Sequence, residues 1–215
     1  MAATFRVLKS KTIYKGKVLE LAVDRIIEPG KLSVIRELVR HPGSVVVLPH
    51  LPDGKVVLVR QFRYAARKAL WELVAGSLQP GETPAQAARR ELLEETGYRA
   101  QSYKLLFSFY PSPGFLNERM HLVEARGLKH FEAQPEADER IRIGKFTSDQ
   151  LRLRLLTHKF EDAKTLIGVL WLLGRTKASR QELGRRLRRP ADPAGEHRPW
   201  AGLGVSNRSS PCISF

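Results

Sequence analysis

The chain has 215 residues, of which 42% are hydrophobic, enough for one domain with a sizeable core and a small appendage. The single cysteine, Cys212, excludes an intrachain disulfide framework and a cysteine-based zinc site. The longest apolar run, residues 166–173, is too short to span a bilayer, and the first residues lack the apolar core of a signal peptide. We therefore expect a cytoplasmic protein without a membrane partner.

The formal net charge of +15 raises the question of a nucleic-acid partner. Nine Lys/Arg and three Asp/Glu follow Gly174, so this last segment carries +6 of the total. The remaining charge is spread along the chain without a sustained basic run, and a basic surface also suits a small phosphate-bearing substrate. We therefore do not expect nucleic acid to be the main partner.

The first part of the chain is rich in β-forming residues. Three such segments, residues 5–13, 18–27 and 32–39, predict an N-terminal antiparallel β-element within residues 1–41. Two further segments, residues 44–48 and 55–64, predict a hairpin around a Pro-Asp-Gly turn. Residues 71–74 predict a short strand that leads into Ala75-Gly76.

The next segment carries the strongest helix signals of the chain. Thr83 is a suitable N-cap, Pro84 occupies the first helical position, and Gln86 completes a capping box. Residues 85–95 are mostly strong helix formers, and Gly97 follows as a C-terminal stop. The sequence therefore predicts a helix that begins at Pro84 and ends just before Gly97.

The remaining segments alternate strands and helices. Strands are predicted over residues 103–109, 120–125 and 141–146. Ser148 is placed to cap a short helix, and residues 162–173 predict a second long helix. Residues 175–215 form a basic tail, rich in Pro, Gly, Ser and Arg beyond Pro190, that we expect to be disordered. The mixed order indicates an α+β fold, arranged as an α/β/α sandwich.

The predicted helix carries an acidic cluster. Glu91 lies one turn from Glu94 and Glu95, so the three carboxylates share one face. Their mutual repulsion is costly unless a cation is bound, and carboxylate oxygens suit a hard ion such as Mg²⁺ that also binds substrate phosphates. The alternative from the residues alone is a solvated, glutamate-rich helix face.

The flanking residues extend this cluster into a longer pattern. The stretch GSLQPGETPAQAARRELLEETGY resembles the Nudix box, G-x5-E-x7-R-E-U-x-E-E-x-G-U, in which U is a bulky apolar residue. Tyr98, which is aromatic at the last position, departs mildly from the pattern. The matching positions are Gly76, Glu82, Arg90, Glu91, Leu92, Glu94, Glu95, Gly97 and Tyr98.

This resemblance implies the Nudix fold, a mixed sheet between helices, over residues 42–174. It also implies that Glu91, Glu94 and Glu95, with the backbone carbonyl of Ala75, hold catalytic Mg²⁺, with Mn²⁺ as the alternative ion. In the family the arginine at position 90 commonly pairs with the glutamate at position 82 to orient the helix. Two glycines, Gly76 and Gly97, would permit the loop geometry at the ends of the box.

Several segments outside the box resemble the ADP-ribose pyrophosphatase subgroup of that family. Pro113 follows Gly97 by sixteen positions, and the segments LVRQFRY, WELVAG and FEDAKTLIGVLWLL are similar to that group. Val74 departs from the proline often found there, and Pro113 has the alternative of an ordinary loop proline. The resemblance implies hydrolysis of ADP-ribose to AMP and ribose 5-phosphate.

Three other functions remain open at this point. Within the class, GDP-mannose or another nucleotide sugar is the nearest alternative substrate. A non-catalytic nucleotide-binding or RNA-binding Nudix protein belongs to a different class, although the intact acidic cluster argues against lost activity. An mRNA-decapping enzyme fits the Pro113 loop and the compact length less well.

The general base in related enzymes is a glutamate on a loop beyond the box. The acidic segment QPEADERIRI offers Glu139, which fits best because it stands two residues before an isoleucine of the following strand, then Glu136 and Asp138. We expect Glu139 to act as the base, with Glu136 second, and Glu95 to share in catalysis through the metal. A solvated acidic loop is the alternative.

Substrate contacts are expected from five further residues. Arg63 would bind phosphate or the terminal ribose, unless it forms an ordinary salt bridge at a strand edge. The remaining four are Tyr14 and Arg36, which would frame the adenine by stacking, Glu118, which would bind substrate or metal, and Glu72, which has the alternative of a structural ion pair. His121, in a strand-like segment, is interpreted as a packing histidine.

The resemblance also implies a homodimer. Members of the subgroup usually exchange N-terminal strands between subunits and share the base-binding pocket. The β-rich segments within residues 1–41 are suited to this role, because a monomer would leave their edges unpaired.

Overall fold

The computed structural model describes residues 5–30, 32–131 and 141–175. The described residues up to Gly174 belong to one compact unit. The expectation of a disordered tail over residues 175–215 concerns positions that lie outside the described residues, except for Arg175.

The N-terminal segments form a separate antiparallel sheet of three strands, which lie side by side in sequence order. Both pairings run along nearly the full lengths of the strands. Arg6 lies opposite Ile27 in the first pairing, and Glu20 lies opposite Arg40 in the second. The sheet consists of β1 (Arg6–Lys15), β2 (Glu20–Ile27) and β3 (Ser33–Arg40). The predicted antiparallel β-element is therefore present.

A seven-stranded mixed sheet forms the centre of the molecule. Its main path comprises β4 (Ser44–His50), β5 (Val56–Arg63), β9 (Ser102–Phe109), β10 (Met120–Arg126) and β12 (Arg142–Phe146). These strands lie in the order β12-β5-β4-β10-β9, in which only the β10–β4 pair is parallel. Separately, β8 (Tyr98–Arg99) and β11 (Lys129–His130) form a two-stranded ribbon. Each predicted strand of this region is present within a few residues.

The predicted strand over residues 71–74 is instead two strands. β6 (Lys68–Glu72) pairs with β5, and β7 (Val74–Ser77) pairs with β4. The predicted β4–β5 hairpin exists, but its paired register is limited to His50 opposite Val56. The chain therefore pairs with β5 before Leu73 and with β4 after it. The segment that precedes the predicted helix at Pro84 thus bridges two diverging strands.

Helices cover both faces of the central sheet. On one face α1 (Pro84–Thr96) buries Ala87, Ala88 and Leu92 against the valines of β4 and β5. On the other face α2 (Ser148–Leu156) and α3 (Ala163–Gly174) pack through Leu151 and Val169 against Leu48, Leu58 and Leu122. The fold is therefore the expected α+β arrangement, an α/β/α sandwich around a mixed sheet.

The residues predicted to begin and end α1 are confirmed. The Thr83 side chain accepts from the Gln86 backbone N–H, the Gln86 side chain completes the capping box, and Gly97 adopts a left-handed conformation with φ of 70°. The expected cap of α2 was wrong by one residue, because Thr147 rather than Ser148 accepts from the Gln150 N–H. In the described ranges, no helix is long and apolar enough to cross a membrane.

Candidate active site

Glu91, Glu94 and Glu95 lie in the C-terminal half of α1. The Glu91 side chain is only 12% exposed, Glu94 is 31% exposed, and Glu95 is buried. Leu92, between them in sequence, points into the core and fixes the rotation of the helix. The apolar face of α1 therefore sets which way the three carboxylates point.

Gly76 of β7 lies directly against Glu91. A Cβ atom built at Gly76 would stand 1.9 Å from a carboxylate oxygen of Glu91, far inside van der Waals contact. Only a glycine lets the backbone approach this carboxylate so closely. Since Ala75 precedes Gly76 in the same strand, its backbone belongs to the segment that faces the acidic helix.

Arg90 links Glu91 and Glu94 of α1 to Glu82 in the preceding loop. Its Nε and Nη2 donate to the two oxygens of Glu82 at 3.0 and 2.9 Å, so the expected pair is present. Its Nη1 donates to Glu91 at 2.6 Å and to Glu94 at 3.1 Å, and Nη2 also donates to the Ser77 carbonyl at 3.1 Å. One guanidinium therefore connects the loop before α1 with the acidic face.

These contacts shift two pKa values in opposite directions. The hydrogen bond from Arg90 lowers the pKa of Glu82, and the bonds to Glu82 and Glu91 raise the pKa of Arg90. Both groups are therefore charged at neutral pH.

The donor set suits a hard divalent cation. Three carboxylates on one helix face and a nearby backbone segment offer oxygen ligands, and the space created by Gly76 lets Glu91 approach that backbone. Among the described residues no three acidic, histidine or cysteine side chains converge closely enough to enclose an ion by themselves. Here the Arg90 guanidinium bridges Glu91 and Glu94.

Buried Glu72 pairs with the partly exposed Arg63 beside this face. Glu72 is 1% exposed and accepts from Arg63 Nε at 2.9 Å and from Nη2 at 2.7 Å. Burial alone would raise the pKa of Glu72, but the hydrogen bonds and charges of Arg63 and Lys164 outweigh burial and lower it. The pKa of Arg63 is raised, first by its bond to Glu72 and also by the nearby charge of Glu95.

The first turn of α3 completes this network, and the sequence did not single out its residues. Lys164, which is buried, donates to Glu72 and to Asp162. Asp162 accepts from the Thr165 N–H, and the Thr165 hydroxyl accepts from the Leu73 N–H at 2.8 Å. An aspartate three residues before Thr165 at a helix start was the available sequence signal.

Glu118 lies in the loop that contains Pro113. It accepts from the Ser44 hydroxyl and lies 3.6 Å from His41 Nδ1. The loop is fastened to the end of β3, because the Val39 N–H donates to the Phe115 carbonyl at 2.7 Å. Glu118 is therefore held near the start of β4.

His121 occupies β10, apart from this cluster. Its Nδ1 lies 2.8 Å from the Ser108 hydroxyl on β9. Burial, assisted by the charge of Arg119, lowers its pKa. These contacts agree with a packing histidine.

The two N-terminal candidates lie on the separate sheet. Arg36 forms an ion pair with Glu28, and Tyr14 is 59% exposed with its ring over Gly16. Neither is brought to the acidic face of α1 by a described contact. Two other candidates, Glu136 and Glu139, lie outside the described residues together with Asp138.

Comparison with known proteins identifies the family. The model of the NUDIX domain matches residues 40–167. The chain is 38% identical over 169 residues to the methanol dehydrogenase activator of Bacillus methanolicus, which covers 78% of this chain and 91% of that protein. It is 35% identical, with the same coverage, to the ADP-ribose pyrophosphatase of Bacillus subtilis (strain 168).

Two further similarities agree. The ADP-ribose pyrophosphatase of Mycobacterium tuberculosis is 32% identical over 170 residues, covering 77% of this chain and 82% of that protein. A crystal structure of an ADP compounds hydrolase superposes with a TM-score of 0.69 at 18% identity, covering 85% of this chain and 96% of the other, which shows the shared fold. The chain therefore belongs to the Nudix hydrolase family, in its ADP-ribose pyrophosphatase-like group, whose members generally use divalent metal ions.

Proposed function

We propose that the protein is a magnesium-dependent pyrophosphohydrolase of nucleoside diphosphate sugars, and that its substrate is ADP-ribose. The observation that carries this proposal is the acidic face of α1, where Glu91 fits against Gly76 beside the backbone of Ala75. The names of two relatives at 32–35% identity support ADP-ribose as the substrate. The products would be AMP and ribose 5-phosphate.

The proposed ion seat consists of Glu91, Glu94 and Glu95, with the Ala75 carbonyl. A bound Mg²⁺ or Mn²⁺ would neutralise phosphate charge and lower the pKa of a bound water. Binding of the ion at Glu91 and Glu94 requires Arg90 to give up its contacts with them, while its two bonds to Glu82 hold it in place. Arg90 and Glu82 thus have a structural role in this proposal.

The remaining groups have roles in substrate binding and proton transfer. Arg63, held by Glu72 at the strand edge, would present positive charge to the diphosphate. Glu118, in the adjoining loop, would bind substrate or metal, and Tyr14 and Arg36 would contact the adenine from the N-terminal sheet. Glu139, or Glu136 in second place, would accept a proton from the attacking water.

A substrate panel tests the proposal. Purified protein with Mg²⁺ is offered ADP-ribose, GDP-mannose, another ADP-sugar and a capped RNA, and products are separated by chromatography. We expect AMP and ribose 5-phosphate, with the largest kcat/KM for ADP-ribose. Equal kcat/KM values across the sugars would remove the ADP-ribose preference, and tight, salt-sensitive RNA binding without hydrolysis would indicate a non-catalytic protein.

We also propose that the protein is a cytoplasmic homodimer joined through residues 1–41. The N-terminal sheet and the connections between its strands expose several large apolar side chains. They include Val7, Leu8 and Ile13 of β1, Ile35 of β3, and Val18, Leu19 and Leu32 of the connections. Exposed apolar residues that cluster on one element are typical of a surface that binds another protein.

A further inference from the structure

A cleft of about 730 Å³ lies on the outer side of α1, between this helix and the start of β9. Its walls include Arg89 and Arg90 from α1, Arg99 from β8, and Tyr103 from β9. The volume falls within the range of small-molecule sites, roughly 300–1,000 Å³. The carboxylates of the proposed ion seat do not line it.

The cleft concentrates positive charge. Its lining includes three guanidinium groups and no aspartate or glutamate from the described part of the chain. Arg90 is committed to Glu82, Glu91 and Glu94. Among the described lining residues, Arg89 and Arg99 therefore provide the positive charge available to a ligand.

Each of these two arginines lies over an aromatic ring. The Arg89 guanidinium lies 5.6 Å from the centre of the Tyr103 ring, and that of Arg99 lies 5.1 Å from the centre of the Phe131 ring. Within residues 5–30, 32–131 and 141–175, neither forms an ion pair with a carboxylate. Ring contacts orient a guanidinium without neutralising it.

Tyr103 and Leu93 supply the rest of the recognition surface. The Tyr103 hydroxyl oxygen accepts the Ala100 backbone N–H at 3.0 Å, so its own hydrogen remains to be donated. Leu93 gives an apolar patch beside it. Planar guanidinium groups with a phenol donor match the oxygens of a phosphate group, which accept several hydrogen bonds at once.

We propose that this cleft binds a small phosphate-bearing molecule, and that Arg89, Arg99 and Tyr103 recognise its phosphate group. This site is distinct from the ion seat, because the two lie on different sides of α1 and share only Arg90 among the residues that have been assigned roles. The proposal does not rest on the identity of the hydrolysed substrate.

Titration calorimetry of the full chain in EDTA tests the proposal. Without a divalent ion, the carboxylates of the ion seat repel phosphate, so binding reports mainly on the cleft. The probes are inorganic phosphate, AMP and ribose 5-phosphate, with adenosine as the ligand that lacks phosphate. We expect the phosphate-bearing probes to bind and adenosine to bind at least tenfold more weakly than AMP.

Matched variants locate the binding. The double variant Arg89→Ala/Arg99→Ala should weaken phosphate binding at least tenfold, and Tyr103→Phe should weaken it less. The control Arg152→Ala/Lys159→Ala removes the same charge from two exposed positions, one on α2 and one just after it, and should bind as the wild type does. Side-chain Nε–H signals of Arg89 and Arg99, assigned by single variants, should shift on titration.

Three outcomes would overturn the proposal. Equal loss in the control variant would show a general effect of net charge. Unchanged Arg89 and Arg99 signals at saturating phosphate would place the binding elsewhere. Tighter binding of a ten-nucleotide RNA than of AMP, abolished by Arg89→Ala/Arg99→Ala, would assign the cleft to nucleic acid.

Discussion

At the scale of single residues, the site depends on the lack of a side chain at Gly76. The backbone of β7 approaches the Glu91 carboxylate so closely that an added methyl group would overlap an oxygen. The position therefore links the shape of the strand to the placement of one proposed ligand.

Gly76→Ala should lower both stability and activity. The new Cβ would stand 1.9 Å from Glu91 Oε1, so either the strand or the carboxylate must move. The overlapping atoms are the end of the flexible Glu91 side chain, so we expect the carboxylate to shift, with a loss of less than about 1 kcal/mol in the free energy of unfolding and a large fall in turnover. Denaturant unfolding measures the change in stability, and the rate of product formation measures the change in turnover.

The control for this variant is Gly174→Ala. No atom lies within 4 Å of a Cβ placed at Gly174, and its φ is not in the left-handed region. If Gly76→Ala were as stable and active as this control, the close approach would have no functional consequence.

The pair of Glu82 with Arg90 should make stability depend on pH. Since the pKa of Glu82 is lowered in the folded protein, its stabilising effect is complete above the ordinary value of 4.5 and is lost as the pH falls through the folded value. Glu82→Gln should therefore lose less stability than the wild type when the pH is lowered below 4.5. Denaturant midpoints measured at a series of pH values provide the comparison.

Glu161→Gln is the matched control for that measurement. Glu161 pairs with Lys68 at an exposed position, where its side chain is 53% exposed. A pH profile in Glu82→Gln identical to that of the control would show that the Arg90 contact does not stabilise the fold.

At the scale of elements, the first turn of α3 anchors the chain that leads into the site. Lys164 binds Glu72, and the Thr165 hydroxyl accepts from the Leu73 N–H. Two adjacent residues, at the point where β6 gives way to β7, are thus held by one helix turn. This anchoring precedes the Ala75-Gly76 segment by only two residues.

Lys164→Met should be strongly destabilising. It removes one partner of a buried ion pair and leaves Glu72, which is 1% exposed, with Arg63 alone. We expect a loss of about 3 kcal/mol in the free energy of unfolding. Lys68→Met breaks an exposed pair with Glu161 and should cost less than about 1 kcal/mol. Equal losses in the two variants would refute the buried anchor.

Some of these elements could be predicted from the sequence and others could not. α1 was predicted with both caps because Thr83, Gln86 and Gly97 act through neighbours a few residues away. The division between β6 and β7 was not, since it depends on which strands lie beside Leu73. The Lys164–Glu72 contact joins residues 92 positions apart, a separation at which local patterns carry no information.

The site itself was predictable only in part for the same reason. The acidic face follows from helical spacing, and the Glu82 pair follows from the resemblance to a family. The contact of Arg90 with Glu94 has the i,i+4 spacing of one helix and could have been read from the sequence. That Arg63 is tied to Glu72 depends on the pairing of β5 with β6.

At the scale of the whole molecule, the N-terminal sheet is the surface most suited to a second copy. It is a separate three-stranded sheet, and its exposed apolar side chains include Ile13 and Ile35, each more than half exposed. If the chain dimerises through this sheet, these side chains become buried.

Ile35→Lys should convert the dimer into a monomer. The side chain is 59% exposed, so the substitution leaves the fold of one chain intact while placing a charge in the proposed interface. Light scattering coupled to size exclusion should give twice the chain mass for the wild type and one chain mass for the variant. Leu156→Lys, at a 69% exposed position on α2, should remain dimeric. A monomeric wild type would contradict the proposed dimer.

The acidic face of α1 as a divalent-ion seat is tested most directly by the turnover of Glu94→Gln with ADP-ribose at saturating Mg²⁺. Glu94 is partly exposed, so the substitution removes a charged ligand without changing volume or emptying the core. Loss of a direct ligand should exceed the roughly 10–100-fold effect of outer contacts, so we expect kcat to fall more than about a hundredfold, with an unchanged melting temperature. A kcat close to that of the wild type would contradict the ion seat.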